Sequence, residues 1–148
     1  MAQSLSSIYL HAVFSTEARQ PFLLDPEVRR KAFAFIASAS KELDCPTLEV
    51  NGHIEHVHVL ARFSKTITVS EWLKEIKRTS SLFLKNDVPS FAWQPGYGVF
   101  GVEAANLDVR RRYIRMQEEH HASVSFQDEL RALFRESGVE WDERYLWD

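Results

Sequence analysis

The 148-residue chain has one cysteine, Cys45, so no internal disulfide framework can form, and the usage suits a reducing, cytoplasmic setting. It has no apolar run near the roughly 18 residues needed to span a bilayer, and its first residues, Met-Ala-Gln-Ser, lack the charged and apolar segments of a signal peptide. Internal repeats and low-complexity linkers are missing as well. These absences leave a single domain, residues 1–148, with 45% hydrophobic residues to build its core. The chain also lacks a basic excess, with a net charge of −3, but that charge is unevenly spread. Residues 118–148 carry nine acids and three arginines, a net −6, which leaves +3 on residues 1–117. Local basic patches rather than total charge decide phosphate binding, so a polyanionic partner is compatible with this composition.

Among what is present, the run Gly52-His53-Ile54-Glu55-His56-Val57-His58-Val59-Leu60 organises the rest. Alternation along a strand puts His56 and His58 on one face and Val57 and Val59 on the other. Two imidazoles roughly 6–7 Å apart can converge on one metal ion, while the apolar face packs on a core. Glu55 lies opposite His56 by parity, which favours a supporting or surface role over direct ligation.

The other elements follow from pattern and punctuation. Alternation over about 6–15 predicts a first strand. Asp25-Pro26 opens a helix that ends near Asp44. Leu48–Val50 is a short second strand, Asn51-Gly52 is a hairpin signal, and the histidine strand runs to Phe63. Thr68-x-x-Glu71 caps a second helix through about Lys85, whose polar side carries Lys74, Lys77, Arg78 and Lys85. The aromatic stretch from Phe91 to Phe100 leads into a fourth strand. A third helix spans about Asn106–His120, Ser125-x-x-Asp128 opens a fourth, and Gly138 closes it. Trp141, Tyr145, Leu146 and Trp147 predict a docked tail. The order strand–helix–strand–strand–helix–strand predicts an α+β, ferredoxin-like split βαβ antiparallel sheet. Its histidine strand is central, and two helices are appended at the C-terminus.

On the third helix Tyr113 and Gln117 are one turn apart, followed by His120 and His121. A phenol needs activation to act as a nucleophile, and an amide oxygen can ligate a metal without adding charge. His56-Val57-His58, Gly96-Tyr97-Gly98-Val99-Phe100, Tyr113-Ile114-x-x-Gln117-Glu118-x-His120-His121 and the closing Glu140–Trp147 together resemble the single-tyrosine HUH transposases of insertion sequences, including the REP-associated tyrosine transposases. The resemblance covers nearly the whole chain. It implies a metal-dependent enzyme that cleaves and rejoins single-stranded DNA. His56, His58 and Gln117 would hold Mg²⁺ or Mn²⁺, and Tyr113 would attack the scissile phosphate to give a 5′-phosphotyrosine link.

The resemblance further implies a homodimer that recognises DNA hairpins, acts in the cytoplasm on the nucleoid, and favours sites built between two subunits. Lys74, Lys77, Arg78, Lys85, Arg110, Arg111 and Arg112 are the candidate backbone contacts. Three other readings compete. A cupin or metallo-hydrolase would need further ligands soon after His58, and Val59–Lys65 supplies none. An RNA-binding module on this fold would want aromatics where His-Val-His stands. The third is a relative kept for a host role, without mobility.

Overall fold

The computed structural model describes residues 2–147. Seven residues form β1 (Tyr9–Ser15), of which His11–Ser15 are all buried because both faces of the strand are covered. Helix α1 (Pro26–Glu42) begins where expected, with the Asp25 carboxylate accepting the Glu27 N–H at 2.9 Å and proline at the first helical position. Strands β2 (Thr47–Gly52) and β3 (His56–Arg62) form a hairpin. Thr68 caps α2 (Val69–Leu84) through the Glu71 N–H, and β4 (Gly98–Val102) completes a four-stranded antiparallel sheet. The order β2-β3-β1-β4 is the split βαβ arrangement expected from the sequence, with β1 and β3 central.

Strand parity divides the chain into three layers. Ala12 and Phe14 of β1 and Val57, Val59 and Ala61 of β3 face α1 and α2, where Ile36, Trp72, Leu73 and Ile76 are fully buried. The large aromatics there have no unpaired polar tips. Trp72 Nε1 donates to Ser40 Oγ and Trp93 Nε1 to Ser80 Oγ, each at 2.9 Å. The opposite face presents His11, Val13, His56, His58, Leu60 and Phe100. It is covered by α3 (Leu107–Arg115), the single turn α4 (Gln117–His120), α5 (Phe126–Glu136) and a last turn α6 (Glu143–Leu146). Ser125 caps α5, Gly138 follows it at φ +69°, and Trp141, Leu146 and Trp147 pack on the Phe126–Phe134 cluster. Among the described residues no helix is long and apolar enough to cross a membrane.

Two boundaries differ from the sequence reading, each for a physical reason. The third helix is not continuous to His120, because Met116 (φ −93°, ψ 24°) leaves the helical region and separates α3 from α4. Asn51-Gly52 is not the hairpin turn; both residues pair in β2, and His53–Glu55 make the connection. Gly52 is needed for a different reason. A Cβ there would lie 2.1 Å from the His56 carbonyl oxygen, so the backbone of the histidine strand passes where a side chain would stand. Gly52→Ala is therefore expected to destabilise the fold by about 2 kcal/mol, in the range of overpacking. A urea midpoint equal to that of the unsubstituted chain would disprove this account of the glycine.

Candidate metal and nucleophile site

The site grows from β3. His56 and His58 are fully buried with their rings 5.0 Å apart, turned away from the α1–α2 core as alternation requires. Register places Ser15 opposite His56 and Val13 opposite His58, so His11, diagonal to His58, reaches it with Nε2 at 2.7 Å from His58 Nδ1. Helix α3 lays Ile114 onto Leu60 and brings Tyr113 to the histidine face, with the phenol and His58 rings 5.9 Å apart. Beyond the Met116 break, α4 carries Gln117 to full burial.

Glu129 on α5 is the centre of the cluster, and the sequence reading missed it. The residue is 3% exposed. Oε1 lies 3.1 Å from His58 Nε2, 3.1 Å from His121 Nε2 and 3.4 Å from His56 Nε2. Oε2 accepts from Gln117 Nε2 at 2.9 Å and from the Tyr113 hydroxyl. Tyr113, Gln117 and both histidines of the motif thus come together within one chain, on its own sheet, whereas the resemblance favours Tyr113 meeting a partner's histidines. A signal for Glu129 was present in the sequence: a charge set in the apolar stripe Phe126, Leu130, Leu133 and Phe134. His11 carried less of a signal, since it shares its parity on β1 with Tyr9 and Val13 and not with the core-facing Ala12 and Phe14.

Hydrogen-bond polarity shows what these atoms can hold. His56 Nδ1–H donates to Glu55 Oε1 at 2.7 Å, giving Glu55 the supporting role expected of it, and leaves the Nε2 lone pair facing Gln117 Oε1 at 3.0 Å. His121 Nδ1–H donates to the Val124 carbonyl at 2.7 Å, leaving its Nε2 lone pair 2.9 Å from the same Gln117 oxygen. The amide is held in that orientation by its donation to Glu129. Two imidazole lone pairs, an amide oxygen and a carboxylate oxygen therefore point at one another, an arrangement that needs a cation or a shared proton between them. The ligand atoms of His56, His121 and Glu129 all lie within 4.8 Å of one another. Imidazole with oxygen donors fits a divalent ion such as Mn²⁺. His120 Nε2, 3.3 Å from Glu129 Oε2, is buried without a hydrogen-bond partner.

The basic candidates separate. Lys77 is half-buried, donates to the carbonyls of Gln94, Pro95 and Gly96, and burial lowers its pKa to about 8. Lys85 donates to the Phe91 carbonyl, so both lysines fasten a loop. Arg78 pairs with Glu75 at 2.8 Å, and Lys74 is exposed. Three ride on α2 and Lys85 is its C-cap, all across the sheet from the histidines. Arg110, Arg111 and Arg112 are on α3, on the site's side. Arg110 donates to His11 Nδ1 at 2.9 Å, Arg111 approaches Glu49 at 3.7 Å, and Arg112 is exposed.

Comparison with known proteins agrees with this architecture. Residues 4–117 match the family described as "Transposase IS200 like", and the chain belongs to that family of transposases. No curated protein sequence matches the chain. A provisionally assigned transposase from Deinococcus radiodurans R1 has a similar structure, with TM-score 0.64 and 18% identity over 79% of this chain and 95% of that one. A REP-associated tyrosine transposase bound to a REP hairpin gives TM-score 0.59 and 16% identity over 84% of this chain and 76% of that one. At these identities the likeness is one of fold: a mixed α/β chain with a four-stranded antiparallel sheet.

The cluster also sets a pH dependence for the metal-free protein. Burial opposes charge on His56, but the Glu129 and Glu55 carboxylates outweigh it and raise its pKa to about 9. Burial wins at His58 and lowers its pKa to about 4. A raised histidine contributes stability that is present below the unfolded value near 6.5 and lost as pH rises toward 9. A lowered one costs stability as pH falls from about 6.5 through 4, and Glu129, whose hydrogen bonds to the histidines hold its carboxyl well below the usual carboxylate range against burial, adds to that acid arm. Stability in EDTA should therefore peak near pH 6.5. His56→Gln should remove the alkaline arm; an unchanged decline between pH 6.5 and 9 in that variant would refute the assignment.

Proposed function

We propose that this transposase cleaves and rejoins single-stranded DNA through Tyr113, with a divalent ion held by His56, His58 and Gln117 and supported by His121 and Glu129. The observation that carries the reading is the convergence of the Tyr113 hydroxyl and the histidine–glutamine cluster on one buried carboxylate. When bound, the ion would neutralise charge developing on the scissile phosphate. The chain's own groups do the rest. Burial, together with the Glu129 carboxylate, raises the pKa of Tyr113 above the ordinary phenol value, which disfavours a free phenolate. Tyr113 therefore attacks as it passes its proton to Glu129, the acceptor its hydroxyl already touches. The phenol oxygen–phosphorus bond forms as the bond to the 3′-oxygen breaks, and that oxygen leaves as a 3′-OH by taking the proton that Tyr113 gave to Glu129. A later attack by a 3′-OH reverses the exchange and rejoins DNA elsewhere.

DNA recognition is proposed to use a hairpin, as in the REP-associated structural relative, whose solved complex contains a REP hairpin. Arg111 and Arg112 lie beside the site and Lys74 and Arg78 across the sheet, so they would meet different parts of a folded strand. The whole chain, residues 1–148, acts as one domain, and in a homodimer each protomer supplies its own complete site. The within-chain approach of Tyr113 to His58 supports that last point.

Incubation with the single strands flanking the gene plus Mn²⁺ should yield a denaturation-resistant protein–DNA adduct. Tyr113→Phe should abolish it without loss of fold; an undiminished adduct in that variant, or one mapped to Tyr97, would remove Tyr113 as nucleophile. EDTA and His58→Ala should each suppress cleavage. Subunit composition gives a further check. A mixture of Tyr113→Phe and His56→Ala/His58→Ala chains should remain inactive, because every site carries a lesion. Recovery of cleavage after subunit exchange would show instead that sites are shared between subunits.

A further inference from the structure

His58 is the exception among the site's histidines, and the reason lies in a chain of hydrogen bonds that begins outside the cluster. A guanidinium can only donate. Arg110 Nη1 lies 2.9 Å from His11 Nδ1, so that nitrogen accepts, and the proton of the neutral His11 ring stands on Nε2. His11 Nε2–H then donates to His58 Nδ1 at 2.7 Å, which leaves the proton of neutral His58 on Nε2, donating to Glu129 Oε1 at 3.1 Å. Each ring thus has one nitrogen that accepts, which leaves both neutral, and both are wholly buried, so no water substitutes in the chain. Nε2 is the only nitrogen of His58 that faces the cluster, and in this arrangement it has no lone pair to offer.

To ligate a cation, His58 must carry its proton on Nδ1. It then donates to His11 Nε2, the His11 proton moves to Nδ1, and Nδ1–H meets the Arg110 N–H, donor against donor. The number of protons on the two rings is the same before and after; only their positions and the direction of the chain change. Building on the metal reading above, we infer that a metal ion on His58 and the Arg110–His11 hydrogen bond exclude one another, so that metal entry releases the Arg110 guanidinium. Arg110, Tyr113 and Glu129 line one cavity of about 460 Å³ between α3 and α5. The released cation stays beside the phenol, where it can contact a phosphate oxygen. Metal loading and phosphate capture are coupled by this exchange, with His11 as the positioning residue between them.

The test uses the full chain labelled with ¹⁵N-histidine. Without metal, long-range ¹H–¹⁵N spectra should show His11 and His58 both protonated on Nε2. On addition of Zn²⁺, a diamagnetic probe, both should become protonated on Nδ1. Arg110→Met should also tighten Mn²⁺ binding by about tenfold, the scale of a lost charge-assisted hydrogen bond. Arg115→Met, a loss of the same charge on the same helix, should leave it unchanged. If Zn²⁺ shifts His56 and His58 while His11 keeps its Nε2 proton, the relay is wrong and the metal site stands. If Zn²⁺ shifts His56 and His121 and leaves His58 protonated on Nε2, the relay is likewise wrong. If no histidine responds to Zn²⁺, the metal reading fails and the relay falls with it.

Discussion

A buried carboxylate must be surrounded by partners or give up its charge, and the helical layer over the histidine face is arranged around meeting that demand at Glu129. Helix α5 places it there with an apolar stripe on either side, so the helix cannot dock without bringing the charge along. Its partners come from three separate pieces of chain: His58 from β3, Tyr113 from α3, and Gln117 and His121 from the α4 turn and the residue after it. Removing any one partner leaves the others pointing at an under-satisfied anion. The cluster thus acts as a fold determinant as well as a candidate site, holding α3, α4 and α5 in mutual register where apolar packing alone would permit sliding.

The division of labour between the two faces of the sheet follows from one residue of strand parity. The valines of β3 join a core that resembles any other α/β layer, sealed by Trp72 and Trp93. The histidines between them meet a second layer that is apolar near α5 and polar near its centre. A single-residue slip of β3 would bury both imidazoles among Ile36 and Ile76, so its register with β1 is enforced from both sides.

The sheet and its order were legible in the sequence because periodicity, capping residues and turn chemistry are local signals: Asp25-Pro26, Thr68-x-x-Glu71 and Ser125-x-x-Asp128 cap the three long helices they were read to cap. The association of Tyr113 with the histidine strand came from the family resemblance, which favoured a partner's sheet; the within-chain approach to His58 was not readable from the repeat. Glu129 and His11 were not identified, because what makes each important is a partner 71 or 47 residues away. Asn51-Gly52 misled for the converse reason. The glycine answers to the close passage of the His56 backbone, a contact that turn propensity does not encode. The basic residues of the second helix form one set in the sequence because helical spacing reports a shared face and not what that face meets. Lys77 and Lys85 turn out to meet carbonyls of the 91–96 segment.

The interruption at Met116 gives the two chemical groups of the C-terminal half different mechanical fates. In an unbroken helix Tyr113 and Gln117 would move as one rod, and displacing the tyrosine would pull the amide off the histidines. With one residue outside the helical basin between them, the two are anchored separately: the end of α3 to β2, through Asn51 Nδ2 donating to the Ile114 and Arg115 carbonyls at 3.0 Å, and α4 through Gln117 and the His121–Val124 bond. The joint itself is exposed, and its side chain is the unbranched Met116. Any displacement of the tyrosine relative to the amide therefore has to break the Asn51 bonds to α3 first.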